Sequence, residues 1–152
     1  MKKTLLLIAL AIVFGCTAAV AQQKKGGASK NAVEQKVLGK HKLSLQWISW
    51  ENFGTVTITK EKNGRLRCVG EQRSVENSDY LTIDGYITIV NEKHLKFEGN
   101  ITLSVSHIQY GKPCVREGTF DFKSTQGRRY WRMQQMENPC DGCTDYVDIY
   151  FK

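Results

Sequence analysis

From Leu43 onward, apolar and polar residues alternate with a period of two, which restricts this part of the chain to half-buried β-strands. Leu43-Ser44-Leu45-Gln46-Trp47 and Thr55-Val56-Thr57-Ile58-Thr59 set the pattern. Thr, Val, Ile, Tyr and Phe dominate, and both prolines, Pro113 and Pro139, fall between strands. Eight strands are expected: Leu43–Trp50, Gly54–Lys60, Arg65–Arg73, Tyr80–Val90, His94–His107, Cys114–Phe122, Arg129–Met136 and Thr144–Phe151. No helical period competes with them.

The fourth and fifth strands specify their own register. Leu81, Ile83, Gly85, Ile87 and Ile89 share one face; Leu95, Phe97, Gly99, Ile101 and Leu103 share the next. A three-residue Asn91-Glu92-Lys93 loop sets position i opposite 184 − i, so Ile87 meets Phe97 and Gly85 meets Gly99. A slip of one residue would turn the apolar faces apart. The facing glycines mark a sharp bend, as at a barrel corner.

At Asn63-Gly64 a two-residue turn puts Val69 opposite Ile58, whereas a Gly64 bulge puts Cys68 there and Val56 opposite Gly70. The second matches apolar faces better. In the last third, a turn at Ser124-Thr125-Gln126-Gly127 sets i opposite 251 − i, pairing Phe120 with Trp131.

That register also speaks to the cysteines. Cys114 meets Glu137, three residues before Cys140, so a Cys114–Cys140 disulfide closes a loop of about 25 residues and contributes about 3 kcal/mol. By elimination Cys68 pairs with Cys143. The Cys140-Asp141-Gly142-Cys143 spacing is that of a redox pair, but a redox cysteine needs a helix behind it and Thr144–Phe151 alternates as a strand. Haem attachment needs His where Thr144 stands, and a structural zinc site needs a second pair. Two disulfides suit an exported protein.

Export is read from the start of the chain. Met1-Lys2-Lys3 is basic, Thr4–Phe14 is apolar but too short for a span, and Ala19-Val20-Ala21 is a small-x-small cleavage site. Residues 1–21 are therefore expected as a signal peptide, with a periplasmic or secreted product. The competing reading is a lipid anchor at Cys16, since Val13-Phe14-Gly15-Cys16 resembles a bacterial lipobox with Phe14 where a small residue is usual. No later run is long enough to cross a membrane.

Of the formal charge of +7, Lys2 and Lys3 leave with the leader, and 22–42 carries six lysines against Glu34 alone. Residues 43–152 balance at 14 Lys/Arg and 14 Asp/Glu. A basic, flexible linker over 22–42 therefore precedes a neutral β-domain over 43–152, and no nucleic-acid partner is expected. Asn31–Leu38 carries Val33, Val37 and Leu38 at a spacing that allows one or two helical turns.

Eight sequential antiparallel strands form an up-and-down meander, and an even number lets the first and last pair and close a small barrel. In strand number and topology, 39–152 resembles the lipocalin-like (calycin) barrels. Leu45-Gln46-Trp47 has Leu where that family's Gly-x-Trp signature has Gly. The resemblance implies a binding module for a small apolar or amphipathic ligand.

No nucleophile–base pair, phosphate loop or metal cluster is spelled out, so neither an enzyme nor a cofactor or metal is expected. His41, His94 and His107 read as surface residues, and Asp141, Asp145 and Asp148 as solvated carboxylates. The remaining candidates are Trp47, Tyr130, Arg132 and Tyr146. If their face points inward, Tyr130 and Arg132 could hold a ligand carboxylate inside the barrel. If outward, they form an aromatic strip for a carbohydrate or protein partner, with the core filled. Ordinary packing with a solvated arginine is the plain reading of the same residues.

Overall fold

The computed structural model describes residues 25–152. Among them one α-helix, α1 (Lys25–Val37), leads into eight strands. These are β1 Gly39–Leu45, β2 Gly54–Lys60, β3 Leu66–Arg73, β4 Tyr80–Asn91, β5 His94–Ser104, β6 Cys114–Lys123, β7 Tyr130–Met133 and β8 Val147–Tyr150. Each strand pairs antiparallel with the next, and β8 pairs back onto β1 through Leu43–Ile149 and Leu45–Val147. The expected closed up-and-down barrel is the observed one. The signal-peptide stretch 1–21, with Cys16, lies outside the described residues.

The long hairpin follows its sequence. Ile87 faces Phe97, Gly85 faces Gly99 and Leu81 faces Leu103, while a bulge between Ile89 and Asn91 shortens the loop to Glu92-Lys93. A Cβ on Gly85 would stand 2.3 Å from the Glu98 carbonyl oxygen and 2.7 Å from the Phe97 ring, so the close strand approach there requires glycine. The β2–β3 register is the bulged alternative, with Ile58 opposite Cys68 and Val56 opposite Gly70.

Three expectations need correction. The stretch 22–42, expected as a flexible linker, is ordered where it is described: it forms α1 and the first part of β1. Val37 is fully buried, Leu38 packs on the core, and Glu34 accepts a 2.8 Å bond from Lys60. Apolar anchoring at its end therefore outweighs the polar composition of the segment, and the barrel begins at Gly39. His41, expected at the surface, is buried with its ring nitrogens 2.7 Å from Val37 O and 2.8 Å from Tyr150 O.

The C-terminal hairpin is also offset. Phe122 faces Met133 and Lys123 faces Arg132, a shift of four residues from the expected pairing of Phe120 with Trp131. Its loop is longer because Ser124 N–H donates to Lys93 O and Ser124 Oγ donates to Arg128 O. Gln126 and Gly127 take left-handed backbone angles in the same turn. An even shift keeps every side chain on its face, so the pattern itself could not detect it.

Inward positions from every strand fill the interior. Leu43, Ile58, Leu81, Ile101, Met133 and Ile149 are almost wholly buried, and Phe97 lies 6.2 Å from both Phe120 and Phe122. Each such side chain contributes about 1.5–3 kcal/mol by leaving water. One end of the barrel, the helix end, carries α1 and the β2–β3, β4–β5 and β6–β7 turns. Trp131 and Phe151 pack there, ring centroids 4.4 Å apart. The opposite loop end is sealed by the β1–β2 connection: Gln72 accepts from Leu45 N–H and donates to Ser49 O and Asn52 O. The chain turns out of β1 at Leu45, whose carbonyl accepts from Ile48 and Ser49, so Trp47 and Trp50 leave the strand.

Candidate functional site

β7, β8 and β1 meet where the barrel closes, and their two faces divide cleanly. Trp131, Met133, Val147 and Ile149 point into the core. Tyr130 faces Tyr150, Arg132 faces Asp148 and Ser44 faces Asp148, so this second set points out. Tyr146 has the same parity on the β8 segment. The polar-aromatic face is therefore external, and of the two orientations the sequence left open the outward one is realised.

On this face Arg132 grips Asp148 with both arms of its guanidinium, Nε to Oδ1 at 2.7 Å and Nη2 to Oδ2 at 2.6 Å. Its guanidinium lies 4.1 Å from the Tyr146 ring centroid and 5.1 Å from that of Tyr130. Tyr130 touches Tyr150 at 5.2 Å, and Tyr150 meets Phe53 edge-on at 5.0 Å. A continuous strip thus runs from Phe53 through Tyr150, Tyr130 and Arg132 to Tyr146. Beneath it Asp148 is fully buried. Burial pushes its carboxyl above the ordinary range, against the pull of Arg132, while the bond to Asp148 raises the Arg132 guanidinium.

Trp47, grouped with these residues on sequence, belongs to a different place. Its indole N–H donates to Asp145 Oδ1 at 3.1 Å inside the loop end, and its ring meets His107 edge-on at 6.0 Å. Asp145 pairs with the buried Arg116 at 3.3 Å, and Arg116 also donates to the Glu137 and Gln135 carbonyls. Burial raises the Asp145 carboxyl and lowers the Arg116 guanidinium. Asp145 and Asp148, expected as solvated carboxylates, are both removed from water. Asp148 lies on β8 opposite Arg132 and Asp145 in the connection just before it, within reach of Arg116 on β6, so the three-residue spacing sends the two carboxylates to opposite faces.

Cys114 and Cys140 are bonded, with Cα atoms 6.1 Å apart, as expected. Cys68 and Cys143 are free, which corrects the second pairing. Cys68 faces the barrel interior opposite Gly85, where burial pushes its thiol up to about 12, whereas Cys143 lies on the β7–β8 loop at the loop end. Burial and the nearby Asp141 also push the Cys143 thiol up, a poor setting for a redox nucleophile. Among the described residues no group of three or more His, Cys, Asp or Glu side chains could hold a metal ion, and no helix is long and apolar enough to cross a membrane.

An open groove of about 490 Å³ lies at the helix end between α1 and β4. Leu66 and Ile87 line it together with Glu34, Arg65, Tyr86 and Glu98. Arg65 stacks on Tyr86 at 3.5 Å, and Glu34 is engaged by Lys60, so its polar groups already serve the fold.

Residues 19–151 match the model of a family described as the PM1083 family. The uncharacterized protein PM1083 of Pasteurella multocida (strain Pm70) is 44% identical over 119 residues, covering 78% of this chain and 76% of that relative. No solved structure matches.

Proposed function

From the premise that this chain belongs to the PM1083 family, we propose that it is an exported, non-enzymatic interaction module that engages a protein partner through the outer face of β7, β8 and β1. The observation that carries this reading is the strip built around Arg132. Tyrosine and arginine are the residue types that dominate binding energy at protein interfaces, where they cluster around desolvated centres. Here Asp148 neutralises the arginine and holds its plane between two rings, so little order remains to be imposed when a partner arrives.

The lipocalin-like alternative, an apolar or amphipathic ligand held inside, has less support. The inward positions carry bulky side chains packed into one cluster, and Gln72 ties the β1–β2 connection across the loop end. Export is likewise our inference, from the leader-like stretch 1–21 and the disulfide. Cleavage after Ala21 is favoured over lipidation of Cys16, and the intact mass of protein from its own host separates them: a diacylglyceryl group on Cys16 overturns the first.

The interface reading is tested by placing a photo-reactive residue at Tyr130 in the native host, with Thr57 on β2 as the control site. A discrete adduct to one protein is expected at 130, absent at 57 and lost when Tyr146→Ala is added. No adduct, or the same adduct at both sites, refutes it.

A further inference from the structure

The neutral balance of residues 43–152 conceals a separation that only the fold creates. At the helix end, Lys30, Lys36 and Lys40 come from α1 and its exit, and Lys60, Lys62 and Arg65 from the β2–β3 turn. Lys93, Lys123, Arg128, Arg129 and Lys152 arrive there from the other two turns and the C-terminus. The acids at this end are Glu34, Glu61, Glu92, Glu98 and Asp121, of which Glu34 is taken up by Lys60, Glu92 by Lys36 and Asp121 by His94. Lys30, Lys40, Lys62, Lys93 and Arg129 are exposed and form no ion pair among the described residues. The loop end is the reverse, with Glu51, Glu71, Glu76, Asp79, Glu137 and Asp141 against Arg73 and Lys112, Glu71 being taken up by Arg73. The barrel is positive at one end and negative at the other.

We propose that the helix end is an electrostatic docking face for an anionic bilayer surface. The cations are supplied by several separate chain segments and spread across one whole end of a barrel, which suits a broad charged plane better than a single anionic group. Docked in this way, the loop end points away from the bilayer, where its acids avoid the surface charge. The inference rests on the export reading and is independent of the tyrosine strip.

The test is co-sedimentation of the mature chain, residues 22–152, with phosphatidylcholine vesicles prepared with or without phosphatidylglycerol. Binding is expected only to the anionic vesicles, weakening as salt is raised. One cation near such a surface changes the affinity roughly five-fold. Lys62→Glu, Lys93→Glu and Arg129→Glu together should therefore weaken binding by about 100-fold or more, with an unchanged circular dichroism spectrum. Lys112→Glu at the loop end should leave it unchanged. Three results overturn the proposal: equal binding to both vesicle types, no binding to anionic vesicles at low salt, or a triple variant that binds as before. Preferential binding to a soluble polyanion such as heparin, with competition against the vesicles, would also overturn it and reassign the face.

Discussion

Asp145 and Asp148 sit three residues apart, are both fully buried and both face an arginine, yet the two regions they anchor are built differently. Inside the loop end, Arg116 is shared among the Asp145 carboxylate at 3.3 Å and two main-chain carbonyls, while Trp47 donates to the same carboxylate. That arrangement ties β6, the β7–β8 connection and the β1–β2 connection into one closure. On the outer wall, Arg132 commits its fork to a single carboxylate and lies between two tyrosines. The inner pair holds chain segments together. The outer pair shapes a surface. Both carboxylates are fully buried, so what separates a structural pair from a candidate binding one is the number of segments its arginine serves.

The comparison breaks first at the inner pair. Asp145→Ala leaves Arg116 buried without its counter-charge and should cost about 3–5 kcal/mol, measured as a drop in the urea midpoint at unchanged m-value. A loss below about 1 kcal/mol would mean that the carbonyls alone satisfy Arg116.

Next comes the disulfide beside it. Replacing Cys114 and Cys140 with Ser should cost about 3 kcal/mol for a loop of this size, with a sequence separation of 26. It should loosen the β7–β8 connection while leaving any Tyr130 adduct in place, and hydrogen exchange resolved by segment would register the difference.

Arg132→Leu sharpens the contrast through pH. It should cost about 2–3 kcal/mol at neutral pH, below the inner pair because Arg132 retains some contact with water. A buried carboxyl whose folded-state value is raised stays protonated while the unfolded chain has already released its proton. Stability therefore falls as pH rises through the ordinary carboxylate range toward the raised value, and is regained on acidification. Removing the opposing pull of Arg132 on Asp148 should steepen that fall. Urea midpoints taken between about pH 4 and pH 7 test it; parallel profiles for the variant and the parent would refute the assignment.

The smallest effect belongs to the solvent-facing pair of Lys60 with Glu34. Lys60→Ala should change stability by less than about 1 kcal/mol, seen as a shift of at most a few degrees in Tm. A larger loss would show that docking of α1 depends on it.

The alternation of residues determined which side chains share a face, how many strands there are, and the β4–β5 register, where Gly85 had to meet Gly99. It also brought Cys114 to Cys140, even though the hairpin register expected there was four residues off. These are local facts: a strand's period is written in consecutive residues, and a four-residue slip changes no face. Which face of β7 and β8 turns outward, that 25–42 forms α1 and the first part of β1, that Cys68 and Cys143 stay free thiols, and that neutral residues 43–152 are polarised end to end were decided by closure of the barrel. Closure brings together residues a hundred positions apart, as His41 meets Tyr150, and only the mutual packing of those distant segments determines which groups lose water and which keep it.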